Sequence, residues 1–106
     1  MAEVFYVAFS NFEDLIKFVA YSPTPFIQHV EVEGKHVYFV HSTLLAGRPI
    51  VYYVCLDSKL EKKYVIYNKF NDVISYSDKL ETGGQSVTIP ILEINDTNLL
   101  KFLPLK

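Results

Sequence analysis

Eight consecutive residues, Pro49-Ile50-Val51-Tyr52-Tyr53-Val54-Cys55-Leu56, carry no charge and are apolar or aromatic at both alternating parities. Successive side chains of a strand point to opposite faces, so such a run has two apolar faces and needs cover on both. It predicts a strand in the middle of the fold, set among shorter tyrosine-rich segments.

Those segments predict an α+β domain. Ala2 to Phe9 reads as a largely buried strand, and Ser10-Asn11-Phe12-Glu13 matches a capping box with Ser10 as the cap. A helix from about Asn11 to Tyr21 follows, with Phe12, Leu15, Ile16 and Val19 on one stripe, and Ser22-Pro23-Thr24-Pro25 stops it. Phe26 to Glu33 and His36 to Ser42 predict a hairpin turning at Gly34-Lys35, and Leu44 to Arg48 a loop before the central run. Lys63 to Phe70 reads as a further strand. Asp72 to Ser77 reads as a short strand or a helical turn capped at Asn71. Lys79 to Ser86, with Gly83-Gly84, is loop-like. Val87 to Ile94 reads as a last strand whose Pro90 argues for a sheet edge or a bulge. Asp96 to Leu103 reads as a short capped helix or turn. The expectation is a mainly antiparallel sheet of about six strands with one packed N-terminal helix, in the order β-α-β-β-β-β-(β)-β, as a single domain over residues 1–106.

Composition narrows the class further. Half the residues are hydrophobic, too many for disorder, and the longest charge-free stretch is short of the ~20 residues that span a bilayer. Glu3 stands where a signal peptide would be basic, so the expected location is cytoplasmic, with no membrane association. The single cysteine, Cys55, excludes an internal disulfide and reads as a small buried hydrophobe. Net charge is −2, with a mild basic excess confined to residues 48–79.

His29, His36 and His41 fall close together and raise the question of a metal site. Pairing Glu33 with His36 answers against it. In that register His29 faces Val40, roughly 10 Å from His36 at Cβ, and His41 lies on the other sheet face opposite Gln28. No metal, cofactor or catalytic motif is expected. The acid-base candidates are His36 beside Glu33, His29 beside Glu31, and His41 near Ser42 and Thr43.

Eight tyrosines exceed what one small core absorbs. The first functional expectation is an interaction or assembly module, homodimeric through a tyrosine-rich sheet face or edge, with the second face of the central strand shielded by another copy. An alternative is a single-stranded nucleic-acid binder using Arg48, Lys62, Lys63, Tyr64, Tyr67 and Lys69 as a basic aromatic platform. A third is a small enzyme with its site at the His29/His36 hairpin.

Overall fold

The computed structural model describes residues 5–19, 26–42, 50–68, 73–80, 84 and 86–94. In chain order they form β1 (Phe5–Ala8), α1 (Phe12–Val19), β2 (Ile27–Val32), β3 (Lys35–Ser42), β4 (Ile50–Leu56), β5 (Tyr64–Asn68), β6 (Val73–Ser77) and β7 (Ser86–Glu93). The sheet order is β1-β4-β3-β2-β7-β5-β6.

The α+β class stands, but the sheet has seven strands rather than about six and is mixed rather than mainly antiparallel. β1 pairs with β4 in parallel, as does β2 with β7. The two have separate origins: the excursion through α1 separates β1 from β2, so that β4 arrives parallel to β1, and residues 57–63 carry the chain from β4 past β3, β2 and β7 to β5, so that β7 returns parallel to β2. The anticipated central strand, β4, is therefore second from an edge. Residues 72–77, open between strand and helical turn, contribute the edge strand β6. The expected C-terminal helix at Asp96 to Leu103 and the loop at Leu44 to Arg48 lie outside the described residues.

α1 starts one residue later than its capping box implied. Asn11, not Ser10, is the cap: its Oδ1 accepts the Asp14 amide at 2.9 Å, and its Nδ2 donates to Asp14 Oδ2 at 3.1 Å. The amide side chain satisfies an otherwise orphaned N–H, while Glu13 and Asp14 place negative charge where the helix dipole favours it. The stripe Phe12, Leu15, Ile16 and Val19 is buried as expected.

These four side chains pack on one face of the sheet against Ile27, Tyr38, Val40, Ile50, Tyr52 and Val54, and onward to Val65, Tyr67 and Ile89. The opposite face holds a second buried cluster of Val30, Val37, Phe39, Val51 and Tyr53. β4 is thus buried on both faces, as its pattern required. Val51 and Tyr53 are 4% and 6% exposed within one chain, so no second copy is needed to shield them.

Pro90 does not mark an edge, since β7 lies between β2 and β5. The Ile91 amide bonds the Lys63 carbonyl at 3.0 Å on the β5 side. Position 90 therefore turns toward β2, one residue before that pairing begins at Ile27–Ile91, where no ladder donor is required.

Candidate functional site

The hairpin joining β2 and β3 decides what its histidines can do. Glu33 and Gly34 both adopt left-handed backbone, φ 50° and 83°, so they are the two central residues of the turn. Val32 consequently faces Lys35, Glu31 faces His36 and His29 faces Tyr38. The expected register, turning at Gly34-Lys35, is off by two residues. A slip of two preserves every face but changes every neighbour. It moves His29 and His36 from remote positions to diagonal neighbours on the face that carries α1.

The two rings meet. His29 Nε2 lies 3.0 Å from His36 Nδ1, and the rings stack with centroids 5.2 Å apart. The other nitrogen of His29, Nδ1, forms a hydrogen bond with Glu93 Oε2, from the residue directly opposite it on β7. Tyr38 stacks on the His29 ring at 4.6 Å. His29 is 4% exposed, and both of its nitrogens are engaged, as burial of a polar ring demands.

The crossover of residues 57–63 closes over this group. The Leu60 amide donates to Tyr38 Oη at 2.8 Å, and Lys59 Nζ lies 3.4 Å from Glu93 Oε1. Lys35 pairs with Asp57 and Lys62 with Asp78 at 3.2 Å. Partial desolvation works to raise the Glu93 carboxyl, but hydrogen bonds and charge from His29 and Lys59 outweigh it and hold the group below the ordinary glutamate range. Burial pushes the Tyr38 hydroxyl up, against the smaller opposing effect of its bond to Leu60.

Two grooves flank the crossover. One, of about 350 Å³, has Lys59, Lys62, Lys63, Tyr64, Pro90 and Glu93 among its walls. The other, of about 520 Å³, is lined by Lys59 to Lys62 with Ser75 and Tyr76. Of the residues expected to form a basic aromatic platform, Lys62, Lys63 and Tyr64 are brought together here. Tyr67 is 1% exposed beneath α1, on the opposite face from Tyr64, and is not placed to stack on a base. Arg48 and Lys69 lie outside the described residues. Tyr38, Tyr52 and Tyr53 are also buried, so much of the tyrosine surplus is core.

His41 does not meet Gln28, which faces Phe39; it is exposed, opposite Val51, with its ring edge-on to Phe39 at 5.3 Å. Cys55 is exposed rather than buried. Among the described residues, no three of His, Cys, Asp and Glu are arranged to hold a metal ion, and no helix is long and apolar enough to cross a membrane.

Glu93, the residue that completes the cluster, went unnoticed in the sequence because it is 64 positions from His29. The arrangement of carboxylate, buried imidazole and outer imidazole sets the ring tautomers and can hold a proton at a defined atom. No family model matches the chain, and neither curated proteins nor solved structures show a match to it.

Proposed function

We propose that this protein is a small interaction module that self-associates through the β1 edge of its sheet. The observation that supports the reading is the character of that edge. Phe5 to Ala8 carry no charge, and Phe5 and Val7 are 42% and 39% exposed on an outermost strand. Phe18 of α1, 48% exposed, extends the apolar surface, with its ring 5.7 Å from Phe9 and 4.6 Å from Tyr52.

Outer strands are usually guarded by lysine, proline or a bulge, because an open edge is a template for another strand. β1 has none of these, whereas β6 at the other edge is polar at Ser75 and Ser77 and is followed by Asp78 and Lys79. A second copy is the occupant that suits β1. Pairing about a two-fold axis sets uncharged residues against uncharged residues and continues one sheet into the next.

Light scattering across a range of concentrations tests this. The expected result is a dimer whose interface exceeds ~1,000 Å² in total, converted to monomer by Val7→Lys or Phe18→Glu. A strictly monomeric mass for the wild-type protein overturns the proposal.

A further inference from the structure

The chain Glu93–His29–His36 joins three strands at the point where the crossover is fastened. Glu93 is shared between His29 and Lys59, and Tyr38 is shared between the His29 ring and the Leu60 amide. The charged and titratable groups that touch or neighbour this cluster are Glu93 from β7, Lys59 from the crossover with Glu61, Lys62 and Lys63 lining the same groove as Glu93, His36 and Tyr38 from β3, and on β2 itself Glu31, which faces His36. The geometry points to a proton-operated latch in which protonation of both imidazoles frees residues 57–63 from the sheet and opens the two grooves they separate.

The contact between the rings has room for one proton. With a single N–H between them, one nitrogen donates and the other accepts at 3.0 Å, whether the pair is neutral or holds one extra proton. When both rings are imidazolium, two N–H groups face each other and the contact cannot hold. Three cations, Lys59 included, then stand against the carboxylates of Glu93 and Glu31.

The outer ring is the one able to leave, because His36 is half-buried whereas His29 is enclosed. Loss of the outer ring uncovers His29 and loosens the stack that positions Tyr38. The crossover then loses the Leu60 bond to Tyr38, and what still ties it to this group is the Lys59–Glu93 pair, which is open to water already. The open form takes up the second proton more readily than the closed form. By linkage, the opening constant then rises about tenfold for each pH unit over the interval in which the open form holds the second proton and the closed form does not.

Amide hydrogen exchange at Leu60, corrected for the intrinsic effect of pH, reads the latch directly. Acidification from about pH 7.5 to about pH 5 is expected to reduce its protection with that slope, while amides of β4 stay protected. His36→Gln removes one titrating ring, and its Leu60 protection is expected to be independent of pH over the same interval. Imidazole nitrogen shifts of the wild-type protein, followed in the same titration, should place the second protonation at the pH where Leu60 opens. Unchanged Leu60 protection in the wild type, opening of His36→Gln identical to wild type, or ring protonation at a different pH from opening would each overturn the proposal.

Discussion

His29 and His36 touch because Gly34 occupies the second, and not the first, central position of the hairpin turn. The left-handed conformation of Glu33 holds the register that makes the contact. Replacing Glu33 with asparagine, which tolerates that conformation far better, is expected to raise stability by a few tenths to about 1 kcal/mol. Gly34→Ala meets no steric obstacle but retains an unfavourable φ, and is expected to cost about 1 kcal/mol. Urea midpoints of the two variants, moving in opposite directions, would establish the turn.

The two candidate caps of α1 are separable by experiment. Asn11→Ala is expected to cost about 1 kcal/mol, since it removes the acceptor for the Asp14 amide, whereas Ser10→Ala should fall within about 0.5 kcal/mol of wild type. The reverse order in chemical denaturation would restore Ser10 as the cap.

Tyr38→Phe isolates one fastening of the crossover. The ring stack on His29 and the edge contact with Phe12, at 5.1 Å, remain, but the Leu60 amide loses its acceptor. The expected cost is about 1 kcal/mol, with faster exchange at Leu60. Unchanged exchange there would show that the hydroxyl does not hold the segment.

Glu93 gives a prediction on the acid side. Its folded pKa lies below the ordinary value of 4.5, so the folded state binds the proton less readily than the unfolded chain. The stability it contributes is fully present above pH 4.5 and is lost as pH falls through the folded value. Glu93→Gln should be less stable than wild type at neutral pH, with the difference shrinking in that acid window. A constant difference across it would show that the carboxylate is not the source.

What was legible in the sequence is burial that repeats with a period, whereas β1 and Cys55, read as buried from apolar composition alone, are exposed at Phe5, Val7 and Cys55. Phe12, Leu15, Ile16 and Val19 repeat as one helical stripe, and the unbroken apolar run at Ile50 to Val54 marks a strand covered twice. Partnership leaves no such trace. Nothing in β2 names β7 as its neighbour, and Pro90 suggests an edge although it only avoids a donor that no acceptor needs. The histidine pair was partly accessible: with Gly34 as the second residue of a two-residue loop, the alternation of β2 and β3 yields the observed register. Glu93 was not accessible, since its approach depends on a strand pairing formed between distant parts of the chain.

Among the described residues, the β2–β7 ladder spans only Ile27–Ile91, Gln28–Leu92 and His29–Glu93, yet it is the sole ladder between the β1-β4-β3-β2 half of the sheet and the β7-β5-β6 half. It also closes the longest loop of any pairing among the described strands. Each half can gather its own strands over shorter spans, so loop-closure entropy makes the seam the last joint to form and the first to part. The protein should accordingly assemble as two preformed sheets that meet along three residue pairs, with folding speed governed by that encounter.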